Sequence, residues 1–275
     1  MQFNKPLLLI IICFIASEQL IAGNENLPAG AASAGMANAS ATLTDVWSSY
    51  NNQAGCAYVN SVTAGIYNEI RFGLKENSFN AFGLVIPAKK IGNFSLSASY
   101  YGFKLYNEQK IGLGYSRKFG NNIAASLQAD YMATNIDDEF YGNSSEFTVE
   151  AGFRAMLTPQ LALGFHLFNP LRSKISDYDD ERTPTTMKLG LSYEFNKKII
   201  LAAEAEKSSE RDNIFKLGIN YHIIEPLYIR TGFSTNNTTG YFGFGLEFKG
   251  LQLDFAASWH QVLGFTPHTS LSFKF

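Results

Sequence analysis

From about Ser61 to the end of the chain, apolar and polar positions alternate with a period of two. Leu189, Leu191, Tyr193 and Phe195 interleave with Lys188, Gly190, Ser192 and Glu194. Phe215, Leu217, Ile219 and Tyr221 interleave with Lys216, Gly218, Asn220 and His222. Leu251, Leu253, Phe255, Ala257 and Trp259 do so with Gln252, Asp254, Ala256, Ser258 and His260. Successive side chains of a strand point to opposite faces, so this alternation predicts strands with one apolar face. Counting such runs gives about fourteen strands, an even number as closed bacterial barrels require. Their cores begin near residues 62, 78, 93, 108, 122, 145, 160, 184, 198, 213, 226, 238, 251 and 268. The first two are the weakest, because Ala81 to Ile86 alternates poorly.

The predicted connections alternate in length. Pro87 to Asn93, Phe119 to Asn122, Thr158-Pro159, Asn196-Lys197, Ile224 to Leu227 and Lys249-Gly250 are short. Asn135 to Ser145, Asn169 to Pro184, Ser208 to Asn213 and Gln261 to His268 are longer. Short periplasmic turns and longer outer loops are the habit of outer-membrane barrels, which places both termini in the periplasm. One strand face also carries no charge: Phe147, Val149, Ala151 and Phe153 contrast with Glu146, Glu150 and Arg154 on the other parity. A soluble sandwich would turn the charged face outward, and alternation alone does not separate the two folds. The chain end does, since Leu271, Phe273 and Phe275 form a terminal aromatic strand like the assembly signal of outer-membrane barrels. The expected fold is all-β, a closed antiparallel transmembrane β-barrel of about 14 strands with a short N-terminal helical hatch.

Before the strands the pattern changes. Lys5 and the apolar run Leu7 to Ala16, closed by Ile21-Ala22-Gly23, read as a signal peptide over residues 1–22. The run falls short of the ~20 residues of a spanning helix. Cys13 follows Ile12, a poor fit to lipidation, and removal of the signal leaves Cys56 as the one cysteine, so no internal disulfide is expected. Residues 23–60 form the expected hatch or plug, and 61–275 the barrel. Within the hatch, Thr44 or Asp45 can cap a short helix with Val46, Trp47 and Tyr50 on one face, ended by Asn51-Asn52-Gln53-Ala54-Gly55. It is the one helical signal after the leader. The hatch candidates are Asp45, Trp47, Tyr50, Asn51, Asn52 and Gly55.

Composition agrees with this picture. Aromatics reach 14% while charged residues fall to 17%, below the roughly 25% of soluble proteins. The mean hydropathy of −0.06 excludes a helical membrane protein. The net charge of −2, with no basic run, disfavours nucleic-acid binding.

The inward parity collects Glu150, Arg154, Lys188, Glu194, Glu204, Glu206, Lys216, Arg230, Glu247 and Asp254. Their mixed signs on neighbouring strands predict a structural ion network bracing the lumen rather than a polar permeation path, because paired charges avoid the cost of isolated buried ones. Asp177, Asp179, Asp180 and Glu181 do not match a calcium-loop spacing and read as a solvated outer loop, as do Asp137, Asp138 and Glu139. His166, His222, His260 and His268 accompany no nucleophile motif and no metal-ligand cluster. A non-enzymatic protein without metal or cofactor is expected.

Leu27 to Met36 (LPAGAASAGM), then Asp45-Val46-Trp47 and Asn51 to Gly55, resemble the N-terminal motif of the PorV/PorQ family, itself related to the FadL fatty-acid transporters. The end resembles it too, in His260, Leu263-Gly264-Phe265-Thr266-Pro267 and Ser270 to Phe273. The resemblance implies a fourteen-stranded FadL-like barrel with a hatch, in the outer membrane. Asn52-Gln53-Ala54-Gly55 departs from the Asn-Pro-Ala-Gly common among such relatives. Two functions follow as expectations. The first is an accessory or cargo-binding component of type IX protein secretion. The second is a FadL-like hatch-gated channel for hydrophobic small molecules; the charged inward parity argues against a greasy lumen and so against it, unless a lateral opening between strands spares lipid-soluble ligands the whole lumen. The expected partners are outer-membrane lipid, the barrel assembly machinery, and type IX components or their cargo.

Overall fold

The computed structural model describes residues 26–88, 90–137, 142–174, 182–236 and 239–275. The expected leader and the acidic residues Asp138, Glu139, Asp177, Asp179, Asp180 and Glu181 lie outside them. Fourteen strands run β1 Thr63–Ile70, β2 Ser78–Ala88, β3 Gly92–Gly102, β4 Tyr106–Phe119, β5 Ile123–Ile136, β6 Asn143–Met156, β7 Leu161–Phe168, β8 Thr186–Phe195, β9 Ile199–Ser208, β10 Ile214–Ile224, β11 Leu227–Ser234, β12 Thr239–Phe248, β13 Leu251–His260 and β14 Gly264–Lys274. Each pairs antiparallel with its sequence neighbours, and β1 closes the barrel on β14 through pairs such as Ile66 with Leu271 and Thr63 with Lys274. Closure leaves no unpaired edge, the condition for a sheet to cross a membrane.

The expected strand starts hold within a few residues, with one larger difference. β14 begins at Gly264 rather than near His268. Pro267 lacks an N–H and reads as a loop residue, yet here it sits in the ladder opposite Ala257. β2 alternates poorly in sequence because both of its faces are apolar: Phe79, Ala81 and Val85 are buried inside, Phe82 and Ile86 exposed outside.

At one barrel end the turns are short, down to Lys249 and Gly250 between β12 and β13, and both β1 and β14 have their chain-terminal ends there. At the other, the loop end, the β7–β8 connection spans residues 169–185. The outward parity forms a belt of exposed apolar side chains, including Leu113, Leu127 and Phe147 at 66%, 68% and 75% exposure. An apolar surface of that extent is stable only against lipid. Among the described residues no helix is long and apolar enough to cross a membrane.

Candidate functional site

Residues 26–60 pack inside the barrel. A turn of helix, α1 Ala31–Ala34, is followed by α2 Ser48–Asn51 and a 3-10 helix Gln53–Tyr58. The helical content thus exceeds the single helix expected. Its alanines are short enough to approach the wall, and the wall answers with glycines. A Cβ on Gly164 would collide with the Ala41 carbonyl. Gly30, at φ 101, leaves room for the Trp47 ring, which a Cβ would meet at 2.5 Å.

Asp45 and Ser48 start α2 by capping each other. Asp45 Oδ1 accepts from the Ser48 N–H at 3.1 Å, and Ser48 Oγ accepts from the Asp45 N–H at 3.2 Å. Burial pushes the Asp45 carboxyl up to about 6, and the nearby Asp254 carboxylate adds to the rise. Asn52, extended at φ −167, ends α2, and its Oδ1 accepts from Ala54 N at the start of the 3-10 helix.

Hydrogen bonds tie the segment to the wall around its circumference. Ala31 N donates to Ser270 Oγ on β14 at 3.2 Å. Glu204 Oε2 on β9 accepts from Ser40 N and Ala41 N at 2.9 and 2.8 Å. Arg154 Nε on β6 donates to the Thr42 carbonyl at 2.8 Å. Asn52 Nδ2 donates to the Ala41 and Phe153 carbonyls at 2.6 and 3.1 Å. Asn93 Nδ2 on β3 donates to the Cys56 and Val59 carbonyls at 2.7 and 2.8 Å.

The packing around the segment differs between two sides. Toward β1 and β2 it is apolar, where Val46, Trp47, Tyr50 and Cys56 share one buried cluster with Tyr67, Phe79, Ala81 and Val85. Toward β4 to β7 it is polar. Glu150 accepts from Lys110 Nζ, contacts His166 Nε2 at 2.6 Å, and accepts from Gln53 Nε2 at 2.6 Å. Asp130 Oδ1 lies 3.6 Å from Lys110 Nζ.

Of the ten lumen charges named from sequence, seven pair with a described residue, six of them deep in the lumen: Glu150 with Lys110, Glu204 and Glu206 with Lys216, Arg230 with Asp254. Glu247 pairs with Lys274 at the more exposed short-turn end. Arg154, Lys188 and Glu194 have no ion pair among the described residues. Arg154 instead stacks on Tyr58 at 4.5 Å, and Lys188 is buried in register between His166 and Glu206. The lumen also contains charges that sequence reading passed over: Lys110, Asp130, Glu69 and Arg71, with His166 and His268 beside them. Their inward parity was readable; which strand each would face was not. Leu271 and Phe273 lie on the outer face of β14, and Phe275 N donates to the Val62 carbonyl at 2.8 Å.

Of the hatch candidates, Trp47 packs on Tyr67 with ring centroids 5.9 Å apart, and Asn51 Nδ2 donates to the Ala29 carbonyl at 3.0 Å. Gly55 lies against Leu43 and Ser48. Tyr50 reaches furthest. Its hydroxyl lies 2.9 Å from the Phe82 carbonyl of β2 and 2.7 Å from the Ala98 carbonyl of β3. Phe82 and Ala98 face each other in the ladder. In an undisturbed ladder such carbonyls point at the opposing strand, so one hydroxyl within reach of both lies in the seam between β2 and β3. Burial pushes the Tyr50 phenol well above its usual range, which keeps it a neutral donor.

Three cavities share lining residues in this region. A vestibule of about 270 Å³ at the loop end is bounded by Leu27, Glu69, Arg71, Lys216, Tyr241 and His268. Leu27 also bounds a cavity of about 20 Å³ beside Tyr50, Phe79 and Ser99. Ser99, Gln109 and Lys110 are shared in turn with a groove of about 580 Å³ that includes the outward-facing Ile66, Phe82 and Ile111. Among the described residues, no group of three or more His, Cys, Asp or Glu is placed to hold a metal ion.

No family model matches the sequence, and no curated protein sequence matches it. Solved structures do. The chain resembles the CymD monoaromatic hydrocarbon channel with a TM-score of 0.70 and 12% identity, over 92% of this chain and 99% of that one. It resembles a Pseudomonas aeruginosa FadL homologue with a TM-score of 0.67 and 15% identity, over 92% and 100%. It resembles the Pseudomonas putida toluene transporter TodX with a TM-score of 0.60 and 11% identity, over 84% and 92%. The PorV/PorQ resemblance and the type IX secretion role drawn from it find no support in these matches. At these identities the likeness is one of fold, and the fold is that of FadL-type outer-membrane β-barrels.

Proposed function

We propose that this chain is an outer-membrane channel through which small hydrophobic molecules pass from the loop-end vestibule, past the N-terminal segment, and out through the barrel wall into the membrane. In this reading the segment is the hatch, the short-turn end with both termini faces the periplasm, and the assembly machinery and outer-membrane lipid are the partners the barrel needs. The observation that carries the proposal is the Tyr50 hydroxyl in the β2–β3 seam, between the small cavity inside and the groove outside.

Physical chemistry favours a wall exit at this place. Parting two strands in hydrocarbon orphans backbone carbonyls, at several kcal/mol each. A hydroxyl already lodged between them supplies a replacement donor and lowers that cost. The seam adjoins the apolar cluster of Val46, Tyr50, Phe79 and Ala81, and the charges along the way, Glu69 with Arg71 and Lys216 with Glu206 at the vestibule and Lys110 with Glu150 at the small cavity, are neutralised in pairs. Two of the similar structures, a monoaromatic hydrocarbon channel and a toluene transporter, suggest the ligand size.

Uptake of radiolabelled toluene by cells whose outer membrane carries the protein tests this. Expression is expected to raise uptake several-fold over the empty membrane, and Tyr50→Phe, which removes the seam donor while keeping the ring, to change that rate. Uptake equal to the empty membrane sinks the reading.

A further inference from the structure

The outer groove has a feature that a lipid-facing wall ordinarily lacks. Following the ladder register from β14 to β4, one row of side chains reads Thr269, Asn68, Asn80, Tyr100, Gln109. Continued the other way, the same row reads Phe255, Phe244, Ile229 on β13, β12 and β11. The adjacent groove row is Leu271, Ile66, Phe82, Ala98, Ile111. Five uncharged polar side chains thus border an apolar strip, and all ten residues line the same cavity of about 580 Å³.

The polar row is incompletely satisfied within the protein. Asn68 Nδ2 donates to Asn80 Oδ1 at 2.9 Å, leaving one amide oxygen and one amide nitrogen of the pair without a partner among the described residues. Whichever way the amides are turned, a donor and an acceptor remain. Lys110, which also borders the groove, aims its ammonium into the lumen at Glu150 and Asp130, so no formal charge points outward here. An amide pair on a membrane face is costly unless something bonds to it.

We propose that this groove is a binding site for an uncharged amphiphile, with a hydroxyl or carbonyl head on Asn68 and Asn80 and an apolar body along Ile66, Phe82 and Ala98. The occupant is that part of the channel's cargo which carries such a head, because the floor of the groove is the same Phe82–Ala98 pair that holds the Tyr50 hydroxyl. The inference rests on the wall-exit reading for the origin of the ligand, while the site itself stands on the groove alone. A carboxylate is disfavoured, since the groove offers it no cation.

Photolabelling of the intact barrel in phospholipid nanodiscs, read by peptide mass spectrometry, tests the site without any transport. A diazirine-bearing long-chain alcohol is expected to label residues 66–82 and 98–111. The matched carboxylate and the matched alkane should label them weakly. Asn68→Leu combined with Asn80→Leu should cut alcohol labelling about tenfold, the loss expected for hydrogen bonds together worth one decade of affinity. Retention of heat-modifiable migration on a gel shows that the variant barrel is folded. Equal labelling by all three probes, or by a diazirine phospholipid competing evenly with the alcohol, means that the wall is merely coated by lipid and overturns the proposal. Specific labelling in a protein that gives no uptake preserves the site and removes the wall-exit reading.

Discussion

Tyr50 is the residue at which lumen, wall and groove meet, yet in the sequence it stands out only as one member of a helix face. Its partners are main-chain carbonyls, which leave no trace in residue identity. Gly164 is less legible still. Nothing in the sequence marks it, because the room its missing Cβ leaves for the Ala41 carbonyl depends on how the segment folds back. Gly164→Val is therefore expected to loosen the segment by about 1–3 kcal/mol, the usual cost of overpacking. Hydrogen exchange of residues 38–44 measures this. Gly240→Ala, where a Cβ would meet nothing within 4 Å, should leave exchange unchanged, and equal protection in both variants would contradict the packing described.

At the scale of elements, the strands were legible because a barrel wall between lipid and lumen imposes period two along nearly its whole length. Legibility failed where a second influence acted. β2 lost its alternation because the segment covers its inner face with apolar side chains, and β14 was shortened because Pro267 resembles a loop residue. The ion pairs were half legible: parity put Glu150, Glu204 and Lys216 inside, but partner strands such as that of Lys110 required the register. The segment itself carries a titratable group in its α2 cap. Because the folded-state carboxyl of Asp45 is raised from 3.8 to about 6, its contribution to docking is fully present below the unfolded value and is lost as pH rises through about 6. Protease protection of residues 26–60 should fall as pH rises from 3.8 to about 6 and level off above it. Asp45→Asn should flatten that dependence, and an unchanged profile would show that Asp45 does not govern docking.

For the whole molecule, the barrel explains how a chain with a near-neutral mean hydropathy crosses a membrane, by sorting apolar residues outward and paired charges inward. What distinguishes it from a sealed structural barrel is the claim that β2 and β3 part to let cargo out. Ala81 and Ser99 face each other across that seam on the lumen side, one position from the Phe82–Ala98 pair. Facing residues lie about 4.5–5.5 Å apart at Cα, within the range of a disulfide. The most direct measurement is toluene uptake by the Ala81→Cys, Ser99→Cys variant, with Cys56 replaced by serine, before and after reduction. Uptake that is lost when the seam is stapled and returns on reduction is the result expected. Uptake that stays the same with the staple closed would contradict exit through the wall.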